Sequence, residues 1–254
     1  MRSGLDESTW AAVVAETGLD VASSPLRPLG EHAAPTAAPA TAPESTLVEA
    51  AALALGRADV GISLLAGTNR SGVMAQLGAD TTVLGVALRA VLSGVGGAEG
   101  PVAVPGVELG AGRAGGMVEE VMRLVPPGGE VRDLPDGSVG LEREDALVMA
   151  RTAVADEPVA AAAARRAGLD EVPEVIRAIA RGTTASVTLT ISTSAARLHA
   201  VRQWLLTDAG WVSLTMLGRR VVHAPRSRDE LAAELTALMA GAWDSALAAR
   251  GRVS

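Results

Sequence analysis

Residues Gly110–Gly115 (GAGRAG) are the strongest candidate for chemistry in this sequence, because they match the pattern G-x-G-x-x-G. The motif follows a predicted strand and precedes a predicted helix. A loop in that position can bring backbone N–H groups onto a phosphate or a nucleoside. The motif alone therefore suggests a nucleotide-type cofactor.

The residues in front of the motif extend this hypothesis. With Glu108 and Leu109 before it, the motif resembles the first motif of S-adenosylmethionine-dependent methyltransferases. The alternative function for the chain is therefore an S-adenosylmethionine- or nucleotide-binding enzyme that uses Gly110–Gly115.

The surroundings of the motif favour a structural role instead. A dinucleotide fold needs alternating strands and helices downstream, whereas 141–181 predicts helices and the segment after residue 185 predicts a meander of strands. The strand before the motif contains Pro105 and Glu108, which suit a buried parallel strand poorly. We therefore expect no cofactor and interpret Gly110–Gly115 as a step from strand to helix.

No other set of residues predicts catalysis or metal binding. Cysteine is absent, and His32, His199 and His223 lie far apart without ligand spacing. Ser194, His199 and Asp208 match a catalytic triad by residue type only, since no G-x-S-x-G turn accompanies them. The sequence thus predicts no catalytic residues and no metal site, and we expect a protein that is not an enzyme.

Composition narrows the class of protein further. The 254 residues are 48% hydrophobic but only 2% aromatic, so the core must consist of Ala, Val, Leu and Met. The net charge of -7 is spread along the chain, which argues against a nucleic-acid partner. No apolar run reaches the roughly 20 residues of a membrane span, and the N-terminus lacks a signal-peptide pattern. We expect a cytoplasmic protein without membrane insertion.

Helical spacing marks the helices that flank the predicted strands. Asp6 is placed to cap a helix over 5–19 that Gly18 ends, and Ser227 or Asp229 caps the last helix. Further helices are predicted at 44–55, 117–125, 142–154, 160–167 and 175–179.

Period-two alternation predicts two groups of strands joined by short turns. They lie at 60–64, 73–77, 83–88, 102–109, 186–192, 198–205, 211–216 and 221–222. Each group ends in a helix, so one strand-meander-plus-helix unit occurs twice. Short turns favour antiparallel pairing, and the predicted class is α+β with a central antiparallel β-sheet and internal duplication.

The same pattern divides the chain into five segments within one globular domain. They are an N-terminal helical segment (1–24), an Ala/Pro-rich linker (25–45), a first meander-plus-helix half (46–127), a helical connection (128–184) and a second meander-plus-helix half (185–247).

Five stretches, taken in order, resemble one known family. They are Leu5–Leu19, Val60–Gly67, Gly106–Pro127, Arg165–Ala180, and Gly210–Leu214 with Ala224 and Pro225. In order and spacing they are similar to the EspG family, the cytosolic chaperones of actinobacterial type VII (ESX) secretion. The family's fold is a central sheet with two helical bundles and pseudo-twofold symmetry, which agrees with the internal duplication.

The resemblance implies a chaperone that binds and shields the apolar tip of a PE/PPE-like or WXG-like secretion substrate pair. Loops at Gly67–Ser71 and Gly78–Asp80 are short where some relatives have a long client-contacting loop, so client-binding residues do not carry over individually. We expect the partner surface on the second meander and the adjacent helical region. The residues predicted to carry it are Trp204, Leu205, Trp211, Leu214 and Met216.

Overall fold

The computed structural model describes residues 2–19, 21, 26–30, 42–92, 102–128 and 137–251. Within those ranges the chain folds into two compact units. The first unit contains Met1–Val125, Leu189–Ala200 and Thr236–Ser254, and the second contains Pro126–Thr188 and Val201–Leu235.

Eleven strands are present in the described part of the chain. They are β1 (Arg2–Leu5), β2 (Val60–Thr68), β3 (Ser71–Ala79), β4 (Val83–Leu92), β5 (Val102–Ala103), β6 (Val107–Arg113), β7 (Val139–Glu142), β8 (Thr183–Thr193), β9 (Ala196–Thr207), β10 (Gly210–Leu217) and β11 (Arg220–Arg226).

Seven α-helices accompany these strands within the same ranges. They are α1 (Glu7–Thr17), α2 (Ala42–Gly56), α3 (Met117–Leu124), α4 (Arg143–Thr152), α5 (Glu157–Arg166), α6 (Glu174–Arg181) and α7 (Arg228–Arg250). None of the described helices is long and apolar enough to cross a membrane.

The sheet of the first unit runs in the order β1-β6-β4-β3-β2 and continues with the parts of β8 and β9 that belong to this unit. The pairs from β1 to β2 are antiparallel. Side chains fix the two tight turns of the meander. The hydroxyl of Thr68 accepts a hydrogen bond from the amide of Ser71, and the carboxylate of Asp80 accepts from the amides of Thr82 and Val83.

Helix α2 packs closely on this sheet because two strand positions lack a side chain. A Cβ atom on Gly85 would lie 2.3 Å from the carbonyl oxygen of Ala51 in α2. One on Gly78 would lie 3.0 Å from the Cα atom of Leu55. Glycine at these two positions therefore sets the distance between helix and sheet.

A buried ion pair lies beneath α1 in the first unit. Arg89 of β4 is 0% exposed and donates to both carboxylate oxygens of Glu7, each at 2.9 Å. The same carboxylate accepts the amide protons of Leu29 at 2.5 Å and Gly106 at 2.8 Å. Glu7 therefore joins α1, β4 and two loops through four hydrogen bonds.

The second unit has its own sheet order, β8-β9-β10-β11-β7, to which β8 and β9 contribute the residues of this unit. Strands β9, β10, β11 and β7 pair antiparallel. Helices α4, α5 and α6 pack on one face of this sheet. The core there combines small alanines with a few larger side chains, namely Met149, Ala160, Ala163, Ala164, Ile176 and Val212.

Helix α7 lies on the opposite face of that sheet. Its Glu234 accepts hydrogen bonds from Arg202 of β9 at 2.6 Å and from the hydroxyl of Ser213 of β10 at 2.9 Å. The N-terminus of α7 has a reciprocal capping box, in which Ser227 and Glu230 each accept the other's amide proton.

Most of the predicted elements are confirmed. The meander strands and the predicted helices form, and the fold is α+β with a large antiparallel sheet. Asp6 caps α1 by accepting the amide proton of Thr9 at 2.7 Å, and Gly18 ends that helix in the left-handed conformation. Ser227, one of the two residues predicted as cap, caps α7 by accepting the amide proton of Glu230, and the helix itself begins at Arg228.

The structure differs from the predicted bounds in several places. Residues 1–24 hold the strand β1 as well as a helix, and the supposed helical connection 128–184 contains the strand β7. The fourth strand, which the sequence predicts as interrupted by proline, divides into β5 and β6 as expected but extends to Arg113, and β11 is longer than predicted. Part of the predicted linker 25–45 is structured, since Leu26 is buried and α2 begins at residue 42, whereas residue 25 and residues 31–41 lie outside the described ranges.

Candidate functional site

An apolar groove in the second unit is the best candidate for a binding site. It has a volume of about 520 Å³ and lies between one face of the sheet and helices α4 and α6. Thirteen of the described residues line it, mostly apolar: Arg143, Ala146, Leu147, Ala150, Ile179, Thr188, Val201, Gln203, Leu205, Leu214, Met216, Val221 and His223.

The sheet side of the groove follows from strand alternation. Val212, Leu214 and Met216 of β10 point to the same face because side chains repeat every second residue. Val212 is 0% exposed under the helices, Leu214 is half-buried, and Met216 is 51% exposed. The row therefore passes from the core of the second unit out to solvent along one strand.

The neighbouring strands β9 and β11 place further side chains beside this row. Leu214 pairs directly with Gln203 of β9 and with His223 of β11, and Met216 pairs with Val221. Directly paired residues share a face of the sheet, so three strands present adjoining side chains to the groove.

The opposite wall of the groove is a stripe on α4. Arg143, Ala146, Leu147 and Ala150 recur at helical spacing and therefore lie on one side of the helix. Leu147 is 47% exposed, while Ile179 of α6 completes the wall. Leu147 thus faces the row of Leu214 and Met216 across the groove. In the described part of the unit, no other segment covers this apolar surface.

The polar groups of the groove are few. Arg143, Thr188, Gln203 and His223 interrupt the apolar lining. Burial lowers the pKa of His223 below its ordinary value of 6.5, although contacts with the backbone of Val139 and Val221 oppose the shift. Burial therefore favours the neutral imidazole, and Arg143 is the charged side chain among the described residues of the lining.

A second, polar cavity of about 390 Å³ adjoins the open end of the groove, and Met216 and Arg143 line both. Its other lining residues are Glu142, Glu144, Asp145, Arg166, Gly218 and Arg219. Arg166 donates to Asp145 through Nε at 2.7 Å, and the Arg219 guanidinium lies 3.8 Å from Glu142.

The five residues predicted as the partner surface separate into two groups. Leu205, Leu214 and Met216 line the groove. Trp204 and Trp211 point to the other face of the sheet and are buried there. Trp204 pairs with Ser213, which contacts α7, so the structure places both tryptophans in the core rather than at a surface.

The sequence prediction named none of the helical wall. Leu147 and Ile179 belong to helices that the spacing of apolar residues predicts. Which face of each helix lines the groove depends on the position of the sheet, which the sequence does not give. The stripe at 143, 146, 147 and 150 was the available signal.

Residues Gly110–Gly115 do not form a loop. Gly110 to Arg113 are the end of β6 and pair with β4, and Ala114–Gly116 form one turn of 3-10 helix. The amide of Ala114 donates to the carbonyl of Thr82 at 3.1 Å. This arrangement differs from a phosphate loop, whose amides converge on the ligand. Among the described residues, no group of three His, Asp or Glu is placed to hold a metal ion.

Comparison with known proteins identifies the class of fold. No family model and no curated protein matches the sequence. A solved structure does match: the Mycobacterium tuberculosis type VII secretion system chaperone EspG5 in complex with the PE25-PPE41 dimer. The TM-score is 0.58 at 9% sequence identity, and the match covers 94% of this chain and 96% of EspG5.

At this identity the likeness shows the fold alone, and the resemblance to the EspG family that the sequence suggested is confirmed at that level. A structure of the Helicobacter pylori beta clamp bound to a DNA ligase peptide has a TM-score of 0.13 at 7% identity. It covers 64% of this chain and 56% of the clamp, and it carries no argument.

Proposed function

We propose that this chain is a cytoplasmic chaperone of type VII secretion that binds the apolar tip of a PE/PPE-like substrate pair in the groove of the second unit. The observation that carries the proposal is the half-exposed row of Leu214 and Met216, faced by Leu147 across the groove. The likeness of the fold to EspG5, solved with a PE25-PPE41 dimer, supports it. WXG-like pairs are the other substrate class to be tested.

The energetics of the groove suit reversible binding. Met216, Leu147 and Val201 are 51%, 47% and 43% exposed. Fully burying such a side chain is worth about 1.5–3 kcal/mol, so covering the exposed half of each contributes about 1 kcal/mol. About 3 kcal/mol from three anchors provides a centre for an interface, while polar contacts at the rim must add affinity and specificity.

A pair of substitutions on one strand tests the groove. Met216→Asp places a charge inside the groove, whereas Leu217→Asp places one at an exposed position of β10 that points to the other face and does not line the groove. We expect Met216→Asp to abolish co-purification with the PE/PPE-like pair encoded nearest to the gene. Leu217→Asp should retain it, and both variants should melt like the wild type.

Retained binding by Met216→Asp, or equal loss with Leu217→Asp, would defeat the assignment of the groove. The two tryptophans provide a further check. Trp204→Ala removes a fully buried side chain and should cost about 3–5 kcal/mol of stability, so its effect on client binding should follow its unfolding.

A further inference from the structure

Arg143 differs in position from the other described charged residues around the two cavities. It lines both the apolar groove and the adjoining polar cavity. Arg166 and Arg219 line only the polar cavity, and each has a carboxylate beside it, in Asp145 and Glu142. Among the described residues, Arg143 is thus the arginine that lines the apolar groove.

The guanidinium of Arg143 has no hydrogen-bond or ion-pair partner among the described residues, although its backbone amide donates to the carbonyl of Arg219 at 3.0 Å. Glu144 follows it directly and lines the polar cavity only, and consecutive residues of a helix do not face each other. An exposed arginine at the rim of a groove without an internal carboxylate is available to a partner.

Helix stability does not account for arginine at this position. Arg143 is the first residue of α4, and the first turn also holds Glu144 and Asp145. The positive end of the helix dipole favours these acids and disfavours a cation by several tenths of a kcal/mol. Arginine here costs the helix a little stability, which a contact outside the helix would offset.

We propose that Arg143 selects clients by pairing with an acidic side chain that lies within about one helical turn of the apolar residues seated in the groove. This inference rests on the proposed function. The occupant is an apolar helical tip followed by Asp or Glu, because Arg143 is the unpaired cation that the described residues place beside the apolar row. A charge at the rim adds discrimination between partners more than it adds affinity.

Two synthetic peptides test the selection. Each is a fluorescein-labelled helical peptide of about 16 residues with a leucine face, and one carries Glu where its twin carries Arg, one turn beyond the leucines. Fluorescence anisotropy measures binding of both to the full chain. We expect the wild type to bind the Glu peptide about tenfold more tightly, since the exchange replaces an attraction by a repulsion.

The variants separate this inference from the proposed function. Arg143→Glu should reverse the preference, whereas Arg151→Glu, on the same helix and outside both cavities, should leave it unchanged. Met216→Asp should lose both peptides. Melting curves equal to the wild type establish that each variant is folded.

Each outcome is decisive. If the wild type binds the two peptides equally and Met216→Asp binds neither, the role of Arg143 is overturned, but the assignment of the groove as the binding site stands. Failure of the wild type to bind either peptide, or undiminished binding by Met216→Asp, would overturn the groove and the selection together. Doubling the salt concentration should reduce the difference in affinity between the two peptides, because it weakens the attraction of the Glu peptide. It should not weaken binding of the Arg peptide.

Discussion

The buried pair of Glu7 and Arg89 makes the most quantitative prediction about the first unit. Replacing Arg89 by Met removes the guanidinium from a site that is 0% exposed and leaves the Glu7 carboxylate buried with two backbone donors. Breaking a buried pair in this way costs about 3–5 kcal/mol. For a chain of this size that corresponds to a fall in Tm of about 6–20 °C.

The double variant provides the test of the reasoning. Glu7→Leu with Arg89→Met removes both charges and leaves the amides of Leu29 and Gly106 without acceptors, at about 1–3 kcal/mol each. Its cost should be about 2–6 kcal/mol, well below the sum of the two single variants. Urea denaturation followed by circular dichroism measures all three.

Arg123→Met is the matched control, because Arg123 forms an exposed pair with Glu120 on α3 in the same unit. It should change stability by less than about 0.5 kcal/mol. Strictly additive costs for Glu7 and Arg89, or a cost for Arg89→Met no larger than for Arg123→Met, would refute the idea that the pair acts as one buried unit.

Acid should act on the same pair. Burial alone raises the pKa of Glu7, but hydrogen bonds from Arg89, Gly106 and Leu29 and the charge of Arg89 outweigh it and hold the pKa below 4.5. The folded-state pKa is thus depressed, so this stabilisation is full above the unfolded value of 4.5 and is lost as pH falls through the folded value. In Glu7→Gln that part of the acid dependence should disappear from the curve of Tm against pH.

Three further predictions concern other parts of the fold. Gly85→Ala should lower Tm sharply because its Cβ atom would lie 2.3 Å from the carbonyl oxygen of Ala51, whereas Gly112→Ala, with open space around it, should not. His223, whose pKa is lowered by burial, contributes stability that is full above pH 6.5 and declines as pH falls below that, so His223→Gln should flatten this part of a Tm profile. Calorimetry with S-adenosylmethionine and dinucleotides should give no heat of binding, and a saturable heat that Gly112→Ala abolishes would contradict the expectation that Gly110–Gly115 binds no cofactor.

The sequence predicted the meander strands and helix ends because the determinants are local. Alternation identifies β2, β3, β4, β8 and β10, and Asp6, Gly18 and Ser227 are capping residues that act within one turn. The strands β1 and β7 were missed for the opposite reason. Each has four residues, too few for a period to show, and each pairs with a strand far away in sequence.

The sequence predicts the sheet side of the candidate site, and the alternation of side chains along a strand would have made that prediction more accurate. Residues of opposite parity on a strand face opposite ways, so Trp211 cannot share a surface with Leu214 and Met216. The helical wall required the tertiary structure, since nothing local to α4 indicates that Leu147 faces the groove and stays half exposed.

The four-residue strands β1 and β7 affect the tendency of the protein to aggregate at high concentration. Each forms an end of its unit's sheet and carries a charged residue, Arg2 in β1 and Glu142 in β7. Short, charged edges offer little backbone for another chain to extend. The proposed function requires the protein to stay in solution beside aggregation-prone clients, and such edges reduce its own tendency to form fibres. Lengthening either edge with neutral, alternating residues should therefore cause aggregation even though the protein still folds.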